Sequence, residues 1–256
     1  MNPPDPPGPG QNAEPMAQIT LRSFEQMLLQ PGQRVLDLGC GAGDHTLALA
    51  HRLGPGGEVH GVDYNAARVA QAQARAQAHG VAPWVVHHHA NATALPWPKD
   101  FFDASRSERV FRHLLEPERA FDEMLRVTRP GGRLVVVDSD WATLTIDSDE
   151  THIERRLVQF HVEMTLNNPF SGRHLHHMFC SRALQAVVIE VWPVVLTDVA
   201  LARRLLGLDK IARDALAAGA INAEESLRWH ASLARAAAQG GFFASANAVL
   251  LAASKG

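Results

Sequence analysis

Two rhythms of apolar and polar residues share the first half of the chain. Short apolar runs occur at 33–38, 58–62, 84–88, 101–105 and 133–137, several of them bounded by glycine, proline or aspartate. Runs of that length read as buried strands. Between them the spacing becomes helical. Residues 16–30 can place Ile19, Phe24, Met27 and Leu28 on one face before Pro31-Gly32 stops them. Residues 44–53 end at Gly54-Pro55-Gly56-Gly57, and Asn65 can cap a helix running to His79 with Gly80 just beyond it. Pro117 opens a further helix, with Phe121 and Leu125 one turn apart, and the run Thr128-Arg129-Pro130-Gly131-Gly132 breaks it.

Strand and helix therefore alternate for more than a hundred residues, which predicts an α/β fold with a doubly wound, mostly parallel sheet. A ligand site in such a sheet lies at the carboxyl ends of its strands. Asp37, Asp63, Asn91 and Ser107 fall at or just past those ends. After Asp138 the rhythm changes. Residues 141–183 show helical patches rich in histidine, 186–196 are β-rich, and 201–238 are Ala/Leu-rich and helical, with Asn222 and Glu225 spaced as a capping box. Residues 242–252 read as a closing strand. The expectation is a seven-stranded, Rossmann-like sheet with helical lid segments at about 141–183 and 199–240.

Composition narrows the picture. The first fifteen residues, MNPPDPPGPGQNAEP, lack the apolar stretch of a signal peptide and read as a disordered Pro/Gly-rich tail. Residues 16–256 then read as one domain, with an apolar content of 46% over the whole chain that supports a sizeable core. A formal net charge of −3 argues against a nucleic-acid partner. Two cysteines, Cys40 and Cys180, do not make a disulfide framework, so a reducing, cytoplasmic compartment is expected. No apolar run approaches the length of a membrane span.

The chemistry starts at VLDLGCGAGD, residues 35–44. Gly39, Gly41 and Gly43 make a tight strand-to-helix turn whose bare backbone can approach a ligand closely. A dinucleotide site uses the same logic, but its fingerprint wants Gly or Ala where Asp44 stands. An aspartate beside a pyrophosphate is also electrostatically unfavourable. Asp37, at the end of the strand, suits a cationic ligand instead.

These residues resemble the first motif of the class I S-adenosylmethionine-dependent methyltransferases. GVDY is similar to that family's second acidic motif, and HHANATALPW followed by FFDAS to its third region. SERVFRHLLEPERAFDEMLRVTRPGGRLVVVD resembles the helix and fifth strand of its small-molecule, ubiquinone/menaquinone-type branch. The likeness covers roughly residues 16–140. It implies that S-adenosylmethionine is the cofactor, held at its methionine end by Asp37 and the Gly39–Gly43 turn. It further implies that Asp63 accepts hydrogen bonds from both ribose hydroxyls, and that Tyr64 lies against the adenine. Asn91, where the family often has aspartate, and the backbone of Ala92 would read the adenine amino group, and Ser107 would face the cofactor.

The histidines carry less. His87-His88-His89 on a strand point to alternating faces and cannot all ligate one metal, so no metal site is expected. His113 matches a histidine common in the family, where capping and catalysis are both open. His161 and His174 fall in the segment expected to cover the active site, each as a candidate general base or substrate contact. Trp141 is a candidate pocket wall, with core packing the other reading. The function expected is methyl transfer to a small, partly apolar acceptor by O- or N-methylation in specialised metabolism. Two alternatives remain: a protein or peptide N-methyltransferase, which needs an open groove, and a non-catalytic S-adenosylmethionine-binding partner protein.

Overall fold

A computed structural model describes residues 16–256; the fifteen residues of the expected tail lie outside the described residues. The chain order is α1 (Ala17–Gln26), β1 (Arg34–Leu38), α2 (Asp44–Leu53), β2 (Glu58–Asp63), α3 (Ala66–Ala78), β3 (Val85–His89) and β4 (Phe102–Glu108). A 3₁₀ turn, Phe111–His113, and α4 (Pro117–Val127) lead into β5 (Thr128–Ile146). Then come α5 (Thr151–Met164), α6 (Ser171–Cys180), β6 (Leu184–Leu196), α7 (Val199–Leu206), α8 (Leu208–Ala217), α9 (Ala223–Ala238) and β7 (Ala244–Lys255).

The seven strands form one sheet in the order β3-β2-β1-β4-β5-β7-β6. The first five are parallel, β7 runs antiparallel between β5 and β6, and the expected α/β architecture is the one found. Alternation along the strands sorts the two faces. Leu36, Leu38, Leu134 and Val136 pack with Phe121, Met124, Leu175 and Phe179 of α4 and α6. Val35, Val135 and Val137 pack with Ile19, Phe24, Leu47 and Leu49 of α1 and α2 on the other side. Local signals hold as read: the Asn65 side chain accepts from Ala67 N and Arg68 N, and Asn222 and Glu225 form a reciprocal capping box.

Several boundaries differ from the sequence reading, the largest of them for tertiary reasons. The Thr128–Gly132 break ends α4, but β5 already begins within it: Thr128 pairs with Phe102, and a bulge with Gly131 at φ +72° precedes the pairing of Arg133 with Ala104. β5 also runs on to Ile146, because Thr145 and Ile146 pair with Ser245 and Ala244 of β7. Residues 141–146, expected in the first lid segment, therefore belong to the sheet. Finally, the expected lid at 141–183 divides. Its α6 lies flat on the sheet, where a Cβ on Gly172 would stand 3.1 Å from Asp138 O and from Asp140 N. Only α5 joins α7, α8 and α9 in a separate core of Trp141, Leu157, Val162, Ile211, Trp229 and Leu233. That accessory layer sits beyond Asp138, on the extension of β5.

Among the described residues no helix is long and apolar enough to cross a membrane. A cavity of about 320 Å³ opens where β5 meets α5, lined by Thr145, Asp147, Glu154 and Phe243 among others, and it includes neither Asp37 nor Asp63.

Candidate active site

β1, β2, β4 and β5 bring Asp37, Asp63, Glu108 and Asp138 to one edge of the sheet. Immediately after β1 the chain turns through Gly39, Gly41 and Gly43, at φ +77°, +54° and +86°. The amides of Gly39 and Cys40 both donate to Val62 O, at 2.7 and 2.9 Å, which folds the turn over β2. Gly39 tolerates no side chain: its Cβ would stand 2.1 Å from Val110 Cγ2. A left-handed backbone penalty of about 1–2 kcal/mol adds to overpacking of about 1–3 kcal/mol. Gly39→Ala is therefore expected to lose about 3 kcal/mol in urea denaturation, and a loss under about 1 kcal/mol would show that the turn relaxes around a methyl group.

Asp63 grips this turn directly. Its Oδ2 accepts from Gly41 N at 3.0 Å and its Oδ1 from Asn65 N at 2.9 Å, so one carboxylate ties the glycine turn to the start of α3. Each oxygen keeps a second lone pair for a ligand. Asp44 is drawn outward by Arg75 Nη2 at 2.6 Å, which holds its carboxyl below the usual range. Cys40 is buried, and burial together with the nearby carboxylate of Asp37 pushes its thiol far up, leaving an inert small side chain.

The main feature that sequence reasoning missed is Arg106. It is fully buried in β4, opposite Asp37 in β1. Its Nη1 donates to Asp37 Oδ1 at 3.1 Å, its Nε to Ser23 Oγ at 2.9 Å, and its Nη2 to Glu108 Oε2. The guanidinium carbon lies 4.7 Å from the centre of the Phe24 ring. Nη1 also faces His45 Nδ1 at 3.0 Å. An arginine can only donate, so that nitrogen accepts and His45 is neutral; burial and Arg106 both push its imidazole down. Glu108 in turn accepts from Thr20 Oγ1 at 2.9 Å, so α1 is bound into the same network. The signal was present as an Arg-x-Glu pair at strand spacing, but the strand was expected to end at Ser105, one residue too early to seat it.

The buried groups Asp37, Glu108, Arg106 and neutral His45 sum to −1, and the half-exposed Arg109 stands at the rim with Nε 3.7 Å from Glu108 Oε1. Asp37 Oδ2 is buried without a partner among the described residues. A turn of bare amides beside a free buried anion fits a ligand with a cationic end, as the ammonium of S-adenosylmethionine is, and disfavours a pyrophosphate.

The other expected residues are placed as follows. Tyr64 is 78% exposed, so it is not a packing residue; its carbonyl accepts from His89 Nε2 at 2.9 Å. Asn91 is exposed at the end of β3, with Oδ1 accepting from Thr93 N at 3.0 Å, and Ala92 is buried beside it. Ser107 is buried and donates through Oγ to Leu38 O at 3.0 Å, a strand-to-strand tie that leaves only its backbone for a ligand. His113 is exposed, and its Nε2 accepts from Arg112 Nε at 3.1 Å. Trp141 and His161 meet in the accessory layer with ring centroids 5.1 Å apart. His174 does not join them; it lies on the exposed side of α6, 5.9 Å from the Phe170 ring. His87 and His88 point to opposite faces, His87 to Thr46 Oγ1 at 2.9 Å and His88 to His60.

Two buried imidazoles give the site a pH signature. Burial holds His87, under the turn, and His161 down to about 4. Unfolded histidine titrates near 6.5, so between those values the unfolded chain binds more protons. Their contribution is complete above about pH 6.5 and is lost as pH falls toward 4, by up to ~3 kcal/mol for each ring. Urea denaturation across that window is expected to show stability falling with pH; a flat profile would mean that these rings are solvated.

Fold and turn together define a class I S-adenosylmethionine-dependent methyltransferase domain. The chain belongs to the methyltransferase-domain family, which residues 29–182 match. It is 32% identical over 228 residues to an uncharacterised 37.1 kDa protein in transposon TN4556 of Streptomyces fradiae, covering 87% of this chain and 64% of that protein. It is 39% identical over 106 residues to a ubiquinone/menaquinone biosynthesis C-methyltransferase of Pectobacterium carotovorum, 41% of this chain and 42% of the relative. The chain thus spans less than two thirds of either relative. The fold is shared with the YcgJ protein of Bacillus subtilis, with a TM-score of 0.65 and 21% identity over 93% of this chain and 98% of that one.

Proposed function

We propose that this chain transfers a methyl group from S-adenosylmethionine to an oxygen or nitrogen of a small, partly apolar acceptor, in specialised metabolism. The observation that carries the reading is the free Asp37 Oδ2 beside the glycine turn. When bound, the cofactor supplies a methyl group on a sulfonium, a good leaving group, so the protein's task is alignment and exclusion of water. Asp37 holds the ammonium through Oδ2 while Arg106 fixes its other oxygen. Asp63 accepts the ribose hydroxyls, Tyr64 covers the adenine from solvent, Asn91 and the Ala92 backbone meet its edge, and the Ser107 backbone closes the floor. The accessory layer of α5, α7, α8 and α9 forms the acceptor wall at Trp141 and His161. Such positioning can supply ~7–11 kcal/mol of the barrier reduction.

The acceptor class rests on two features. The accessory core is apolar, with leucine, isoleucine and tryptophan side chains, and the chain carries no basic excess. The likeness to quinone C-methyltransferases covers 41% of this chain, too little to carry their carbon acceptor across. Calorimetric titration with S-adenosylhomocysteine and, separately, NADH tests the reading. Micromolar binding of the first and no heat from the second is expected. Absence of S-adenosylhomocysteine binding would remove the proposal.

A further inference from the structure

Beyond the sheet edge, Trp141 on the extension of β5 meets His161 on α5, edge to face at 81°. They are 8% and 9% exposed. Each carries a polar atom, Trp141 Nε1 and His161 Nε2, that is buried without a partner among the described residues. Buried polar atoms are nearly always satisfied, so two on adjacent rings call for a common cause.

The local hydrogen bonds fix the tautomer of His161. Thr165 Oγ1 lies 2.7 Å from the His161 carbonyl oxygen and 2.6 Å from His161 Nδ1. A carbonyl only accepts, so the single hydroxyl proton of Thr165 goes there. Nδ1 must then donate to Thr165 Oγ1, and Nε2 carries the lone pair. Burial, with Lys210 of α8 and Arg112 nearby, holds the imidazole down to about 4 against the opposing charge of Asp214. The ring is neutral at pH 7, and Nε2 is an acceptor. The indole Nε1 of Trp141 can only donate. The Arg112 guanidinium lies 5.7 Å from the same indole, on the side of the sheet edge.

We propose that Trp141 Nε1 and His161 Nε2 form a two-point site for a hydroxyl group, and that the methyl acceptor is an uncharged, hydroxyl-bearing apolar molecule. A hydroxyl satisfies both atoms at once: its proton goes to Nε2 and its oxygen accepts from the indole. An ammonium has no lone pair for the indole, and a carboxylate has no proton for the imidazole. Leu157, Val162 and Ile211 of the same core suit the carbon skeleton. This inference rests on the methyltransferase reading above and narrows it to a hydroxyl-bearing acceptor.

Phenol is the probe, with its methyl ether anisole as the control. Nitrogen-15 spectra of the full chain follow the Trp141 indole, assigned with Trp141→Phe, and His161 Nε2. Phenol is expected to shift both resonances, whereas anisole, which has no proton to give, leaves Nε2 in place. His161→Leu should weaken phenol binding by about tenfold or more, and His161→Gln, which restores an acceptor oxygen, should stay within about threefold of wild type. S-adenosylhomocysteine titrated in parallel separates the two readings. Normal affinity for it with no phenol shift, or with equal shifts from phenol and anisole, overturns the hydroxyl site alone. No affinity for it overturns the methyltransferase reading, and this inference with it.

Discussion

Arg106→Leu is expected to cost about 3–5 kcal/mol of folding stability, the range for breaking a buried ion pair from one side. The substitution leaves Asp37 as a buried acid with no counter-charge and Glu108 with only the half-exposed Arg109, 3.7 Å away, since the guanidinium is the buried cation between the two acids. It also removes the bond from Arg106 Nε to Ser23 Oγ, leaving Thr20 to Glu108 as the remaining side-chain tie of this network between α1 and β4. At about 2–4 °C per kcal/mol for a domain of this size, the midpoint of thermal unfolding should fall by roughly 10 °C. Arg106→Lys keeps the charge but cannot reach Asp37, Glu108 and Ser23 at once, so it should fall between wild type and Arg106→Leu. Arg106→Leu with Glu108→Gln removes one of the two buried negative charges and should recover part of the loss. A single variant within 2 °C of wild type would mean that water reaches this network and the pair is not a buried one.

The contrast between Asp37 and Arg106 marks where sequence reading reaches its limit here. Asp37 was legible because it sits in a local pattern, an apolar run followed by a glycine turn. Its neighbour was not, because Arg106 gains its meaning from lying opposite Asp37 on a strand 69 residues away. Strand ends were the weakest part of the reading for the same reason. β4 and β5 run longer than their apolar runs because each extension is set by pairing with another strand, as Thr128 shows with Phe102 and Thr145 with Ser245. Local chemistry fared better: the Asn65 cap and the Asn222–Glu225 box need only their own turn of helix. The histidines divide on burial, which spacing does not reveal. His161 faces Trp141 in a core, while His174 faces solvent although α6 itself packs on the sheet.

Asp63→Ala is expected to weaken S-adenosylhomocysteine binding by about 10²- to 10⁴-fold. Two hydrogen bonds from ribose hydroxyls to a carboxylate are worth ~1.5–3 kcal/mol each. The same change strips Gly41 N and Asn65 N of their partner, so a weakened affinity alone cannot tell a lost ligand contact from a loosened turn. A double-mutant cycle with the ligand as the second partner separates them. Removing the 2′-hydroxyl from S-adenosylhomocysteine should cost wild type about tenfold or more in affinity and cost Asp63→Ala almost nothing. If the deoxy ligand loses equally against both proteins, Asp63 acts only on the turn, and the ribose is read by another group. Asp63→Asn sharpens the comparison. Its amide can satisfy one of the two backbone donors but turns an N–H toward the other, so it should bind closer to Asp63→Ala than to wild type despite its similar shape.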